Sequence, residues 1–279
     1  MGQCLVFPAN RVQVSDRAAV LRTLRTEIGA AEAVRSVQQG MEPLRFGDSV
    51  LDAALPWGGL PQAALHEING TAAAMGFTAA LAGRLAGSKP ILWCRSSRNE
   101  TGSIYGPGLL PFGLDPEQVV FVETKKKQDL LWAMEEGLRS GQPALVIGEV
   151  EAVSLVASRR LQLAAEVGGV TAFLLNTVVT KRICEKAATI TTSATTVALT
   201  RWVVSSEARD KSQRNTTRHP QWRVDLVHCR AGVQQSWLVE WNNDEGSDAD
   251  EKASQGYFTV VAELFDRQGE HRPGLREAS

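Results

Sequence analysis

The sequence predicts an α/β protein with a mostly parallel central sheet, flanking helices and late antiparallel strands. Three observations carry that expectation. Short, continuously apolar runs alternate with helical patterns between residues 63 and 175, as in strands buried on both faces by crossover helices. A glycine turn follows the first of these strands and opens an Ala/Leu-rich helix. After residue 195 the helical patterns stop, and three segments read as antiparallel strands.

The elements follow in order. Residues 12–28 form an amphipathic helix: Ser15 is a suitable N-cap with Asp16 in the first turn. Val20, Leu21, Leu24 and Ile28 keep helical spacing, and Gly29 stops it. A weakly patterned stretch leads to the Gly/Pro-rich segment 46–61. Strands are then expected at 63–68, 90–94, 119–122, 144–147 and 170–175, with helices at 75–86, 128–139 and 153–167. The late strands are 196–204, 221–229 and 236–241. Residues 242–254 carry Asp244, Glu245, Asp248, Asp250 and Glu251 with almost nothing apolar, so their burial cannot offset ordering entropy and a disordered linker is expected. The chain divides accordingly into an N-terminal helix and linker (1–45), a core (46–241), the acidic linker (242–254) and a C-terminal interaction segment (255–279).

Composition narrows the function classes. The chain has 279 residues, 43% hydrophobic and 22% charged, with a net charge of −1, so no global field points to nucleic acid. No apolar run reaches the roughly 20 residues that span a bilayer, and residues 1–8 lack the basic start of a signal peptide. Four cysteines (Cys4, Cys94, Cys184, Cys229) lie far apart without metal or redox spacing, which fits reduced thiols in the cytoplasm. The four histidines form no motif, and no metal site is expected.

The glycine turn is the informative feature. Strand, turn and helix are the setting of a P-loop, which needs four residues between its glycines and then Lys and Ser/Thr. Here five residues separate Gly70 from Gly76, and Phe77 stands where the lysine belongs. Thr78 alone is retained as a candidate Mg²⁺ hydroxyl. The strand ending at Ile147 delivers Gly148, with Glu149 one residue later, where an NTPase places its metal-binding acid. Glu149 reads more simply as an exposed carboxylate after a buried strand. The strand at 90–94 leads into Arg95, and Glu100 is the only acid nearby, well into a loop with no claim on a water molecule. Three displaced stations describe a non-enzyme with a degenerate nucleotide site, not expected to hold ATP. The alternative is weak binding of ATP by backbone N–H groups at the helix start.

Other segments suit contacts. Lys125, Lys126 and Lys127, and Arg209, Lys211, Arg214 and Arg218, are candidate DNA contacts, the second group lying between Trp202 and Trp222. The competing account, a solvated hairpin loop between inward-facing tryptophans, is favoured. Loop 99–116 presents Tyr105 and Phe112 among glycines and prolines, either as a contact surface or as a plain long connection. Beyond the acidic linker, Phe258, Leu264 and Phe265 must fold back onto the core or meet another chain.

Taken in order, several motifs resemble a known family. Gly47-Asp48-Ser49-Val50-Leu51-Asp52-Ala53-Ala54-Leu55, Gly58-Gly59-Leu60-Pro61 and Glu67-Ile68-Asn69-Gly70 resemble the start of a RecA-like core. Gly76-Phe77, Ile91-Leu92-Trp93-Cys94-Arg95, Tyr105-Gly106-Pro107-Gly108-Leu109, Phe112-Gly113-Leu114-Asp115-Pro116, Leu131-Trp132-Ala133-Met134-Glu135-Glu136 and Ala157-Ser158-Arg159-Arg160-Leu161 resemble the ImuA family, RecA-like accessory proteins of the bacterial SOS mutasome. The resemblance covers about residues 45–241. It implies a non-catalytic adaptor in translesion DNA synthesis, acting with ImuB and an error-prone DNA polymerase III alpha-type subunit, with RecA and a second copy as further partner candidates. It supplies no catalytic residues. A SulA-type cell-division inhibitor is the other class with a related core.

Overall fold

The computed structural model describes residues 20, 23, 41–70, 72–97, 104–177, 196–207, 219–230, 232–243 and 256–266. The expected helix 12–28 lies outside them, apart from Val20 and Thr23, which are helical and exposed. The elements are α1 (Ser49–Ala54), β1 (Leu65–Gly70), α2 (Ala72–Ala86), β2 (Ile91–Ser96), β3 (Val119–Thr124), α3 (Lys127–Ser140), β4 (Leu145–Glu149), α4 (Leu155–Gly168) and β5 (Thr171–Asn176). Four strands complete the chain: β6 (Thr200–Ser206), β7 (Gln221–Cys229), β8 (Gln235–Asn242) and β9 (Tyr257–Asp266). Two short 3₁₀ helices, Gly106–Phe112 and Pro116–Gln118, occupy the loop before β3.

All nine strands form one sheet in the order β3-β2-β4-β5-β1-β6-β7-β8-β9. The first six are parallel neighbours, and β6 to β9 are joined antiparallel. The mixed α/β architecture with late antiparallel strands is therefore present, with one correction. The 196–204 segment, expected to be wholly antiparallel, pairs parallel with β1 on one side and antiparallel with β7 on the other. Apolar periodicity reports which faces are buried and carries no information on which neighbour is paired.

The sheet is covered on two faces. α2 packs over β1, β5 and β6, while α3 and α4 lie on the opposite side over β1 to β5. The α2 face holds a large aromatic cluster built from Phe46, Phe77, Trp202, Trp222, Trp237, Trp241 and Phe258. The other face holds an aliphatic core that includes Leu65, Cys94, Leu130, Met134, Val146 and Leu161. Alternation along β1 divides the two: Leu65 joins the aliphatic side and Ile68 the aromatic side.

The C-terminal segment corrects a second expectation. Residues 257–266, read as part of a separate interaction segment (255–279), are the ninth strand of the core sheet. Its outer edge is stitched to the segment before α1. Phe258 N–H donates to the Phe46 carbonyl at 3.1 Å, and Val260 N–H donates to Asp48 Oδ2 at 3.0 Å. The other Asp48 oxygen caps α1 by accepting from Val50 N–H at 2.8 Å. Arg84 of α2 closes the corner, donating from Nε to the Arg45 carbonyl at 2.9 Å and from Nη1 to the Gly256 carbonyl. Residues 244–255, which include most of the expected linker, are outside the described set.

Candidate functional site

At the β1–α2 junction the structure departs from the expected glycine turn. α2 begins at Ala72, three residues before the expected start, so a single residue separates it from the end of β1. The run Ala72-Ala73-Ala74 has high intrinsic helix propensity and extends the helix backward through the turn. No loop is left to wrap a phosphate. Gly76, Phe77 and Thr78 sit inside the helix, and each has a packing role.

Gly70 ends β1 against the backbone of β6. A Cβ there would lie 2.0 Å from the Val204 carbonyl oxygen, so only glycine permits this approach. Gly70→Ala is expected to destabilise the fold by about 3 kcal/mol or more, because relief requires separating two paired strands. Gly108→Ala, whose Cβ would have nothing closer than 3.5 Å, serves as the comparison in urea unfolding. Gly76 faces the Trp222 ring, and a Cβ would lie 2.8 Å from its Cζ2. Phe77 is 1% exposed. Its ring centroid lies 6.4 Å from Phe46, 6.0 Å from Trp202, 6.2 Å from Trp222 and 5.3 Å from Phe258. Thr78 is fully buried, and its hydroxyl donates to the Ala74 carbonyl one turn back at 2.7 Å. It is not placed to ligate Mg²⁺.

At the end of β4, Gly148 lies under Met134, where a Cβ would come within 2.1 Å of the sulfur. Glu149, expected to be exposed, is 4% exposed and accepts a hydrogen bond from the Trp93 indole at 2.8 Å. The indole from neighbouring β2 supplies the donor that a buried carboxylate requires. Glu100 lies outside the described residues, and among those described no cluster of three or more His, Cys, Asp or Glu is placed to hold a metal.

Two polar networks beside β1 were not anticipated. His66, fully buried, places Nε2 2.9 Å from the Pro61 carbonyl, which can only accept, so the proton belongs on Nε2. Nδ1 then accepts from the Thr200 hydroxyl at 2.8 Å, and that hydroxyl accepts from the Trp202 indole at 2.8 Å. Burial pushes His66 down to about 4, which keeps the imidazole neutral in this relay. On the opposite face, Glu67 Oε2 binds Arg201 Nε at 3.0 Å and accepts from the Thr196 hydroxyl at 2.8 Å. Asn69 donates to Oε1 of the same carboxylate at 3.2 Å. His228 lies beside this group, and burial, followed by the Arg201 and Arg230 charges, holds it below the ordinary histidine range. Both networks lock β6 to β1. His66-Glu67 and Thr200-Arg201 are adjacent polar pairs whose side chains point to opposite faces, so each pair contributes one member to each network.

The contact candidates separate. Lys125, Lys126 and Lys127 are exposed where β3 meets α3, and Lys127 Nζ donates to the Ala152 carbonyl. Arg209, Lys211, Arg214 and Arg218 lie outside the described residues, but the flanking Trp202 and Trp222 are buried, as the hairpin reading expects. Tyr105 is 74% exposed and stays available. Phe112 turns inward and stacks on Trp222 at 6.0 Å, covering the Gly76 side of α2. Phe258 is fully buried, with Trp241 4.9 Å away and Phe46 5.7 Å away, so it is a core residue and not a partner contact. Leu264 is half-buried; Phe265 pairs through its backbone with Ser236, and its side chain is outside the described set.

No family profile matches the chain. It is 28% identical over 208 residues to Protein ImuA of Caulobacter vibrioides, in each of two strains, a match covering 71% of this chain and 82% of that protein. The chain is ImuA-like. Among solved structures, SulA from Pseudomonas aeruginosa is similar over 40% of this chain and 96% of that one, with 18% identity and a TM-score of 0.34, too low to carry an argument. The resemblance read from the motifs thus has a counterpart in ImuA, whereas SulA contributes nothing to a functional assignment. No described helix is long and apolar enough to cross a membrane.

Proposed function

We propose that this protein is a non-catalytic adaptor of DNA-damage-induced mutagenesis, built on a RecA-like core whose nucleotide grip has become hydrophobic core. The observation that carries the reading is Phe77, the residue in the lysine position, held at 1% exposure inside an aromatic cluster. A phosphate-binding turn needs converging N–H groups and a cation. Here the strand passes almost directly into a helix whose first turns are packed against rings. Likeness to ImuA supports the biological setting: translesion synthesis in the cytoplasm, with ImuB as the direct partner and an error-prone polymerase reached through it.

The test combines two measurements on the full-length chain. Calorimetric titration with Mg²⁺–ATP is expected to give no saturable heat at millimolar nucleotide, with or without single-stranded DNA. Co-expression with ImuB is expected to recover both proteins together through a tag on either one. Robust DNA-stimulated ATP turnover would favour a working recombinase relative and end the adaptor reading.

A further inference from the structure

A groove of about 470 Å³ lies between α3 and α4, on the face of the sheet away from the nucleotide position. Its walls are Leu131 and Trp132 from α3 and Val156 and Leu161 from α4. Trp132 is 63% exposed and Val156 72%, so two large apolar side chains stand in water at its mouth. The space suits a bulky side chain or a single helical turn.

The charges around it are specific. Glu135 lines the groove with its side chain 5% exposed, and its two oxygens take one arginine each: Arg139 at 2.7 Å and Arg160. Those arginine side chains are 57% and 63% exposed, so both remain accessible to solvent while paired with Glu135. Both helices follow parallel strands, so their N-termini lie at the same end of the sheet. Gln128 and Ser154, from the first turns and cap, line the groove at that end. Two helix starts add positive potential there, and exposed Lys125, Lys126 and Lys127 add charge, opposed by Asp129 and Glu151. An apolar slot lined by the exposed Arg160 side chain complements an apolar anchor with a carboxylate beside it.

We infer that this groove docks an acidic amphipathic segment of another protein, with an apolar anchor against Trp132 and Val156 and a carboxylate on Arg160. The chain's own candidates fit less well. Residues 12–28 are amphipathic but carry Arg17, Arg22 and Arg25 against Asp16 and Glu27, the wrong sign for this rim. The acidic stretch 242–254 supplies carboxylates without an anchor. The inference deepens the adaptor reading and rests on it. Its test addresses the groove alone, so ATP turnover would sink the adaptor reading without touching the peptide result.

The test is selection of a randomised twelve-residue peptide library on the full-length protein, with counter-selection on Val156→Asp. Enriched sequences are expected to pair Asp or Glu with Leu, Phe or Trp. The most enriched peptide, synthesised with a fluorescent label, is expected to lose at least about tenfold in affinity to Val156→Asp and to Arg160→Glu. Added salt should weaken it further. Both sites are surface positions, and circular dichroism would verify that the variants remain folded. Enrichment of peptides without carboxylates, or binding indifferent to both substitutions, would overturn the inference. So would displacement by a peptide of residues 8–30, or a dimer that Val156→Asp dissociates, because either would make the occupant a part of this chain.

Discussion

Phe77→Lys, which places a lysine where the proposed P-loop relationship calls for one, is expected to collapse the fold and to bring no nucleotide binding. The position is inside α2, 1% exposed, with the rings of Phe46, Trp202, Trp222 and Phe258 between 5.3 and 6.4 Å away. Losing a buried phenylalanine costs about 3–5 kcal/mol, and an unpaired buried ammonium adds several more. Those losses compare with a total stability of about 5–15 kcal/mol for ordinary domains. Circular dichroism during thermal and urea unfolding would show the loss, and Mg²⁺–ATP titration of any folded fraction would show no binding. A Phe77→Lys protein that melts like the wild type, or that acquires ATP affinity, would mean that the lysine reaches a phosphate cradle after all. Phe77→Leu keeps an apolar side chain there and is expected to be much milder.

Phe258→Ala is expected to lower stability by about 3–5 kcal/mol, equivalent to a fall in Tm on the order of 10 °C. Phe258 is 0% exposed and its ring touches the clusters of both α2 and the late strands. Removing everything after Asn242 is expected to do more, because it strips β9 from β8 and leaves the aromatic face open to water. Val261→Ala on the same strand is the comparison: Val261 is 48% exposed, and the change should stay below about 1 kcal/mol. Loss of partner binding after C-terminal truncation would therefore report an unfolded core before it reported a severed contact. Unchanged unfolding of Phe258→Ala would return this segment to the role of a free attachment arm.

The parallel half of the sheet was readable because each strand is buried on both faces and flanked by a helix of ordinary length. Strands such as β3 and β4 and the helix α3 fall within about two residues of their expected bounds. The β1–α2 junction differs from the expected turn for a physical reason. The spacing of Gly70 and Gly76 suggests a turn, but three consecutive alanines after Thr71 favour helix. The sequence points Glu149 to solvent because its donor, Trp93, is 56 positions away. The destination of Phe258 was likewise out of reach. An apolar cluster behind an acidic stretch records the need for burial, while the site of burial is set by Phe46, Phe77 and Trp241. The side chains of the α3–α4 groove come from two separate stretches of sequence, and their shared surface arises only when two crossovers lie side by side.

The stitching of β9 to the segment before α1 also sets a timetable. Phe46 and Phe258 lie far apart in the sequence and complete the same cluster, so a nascent polypeptide cannot seal it until Phe258 has been translated. Until then Trp222, Trp237 and Trp241 remain on an unfinished surface that invites other unfinished chains. Chaperone supply and translation speed are therefore expected to influence the yield of this protein.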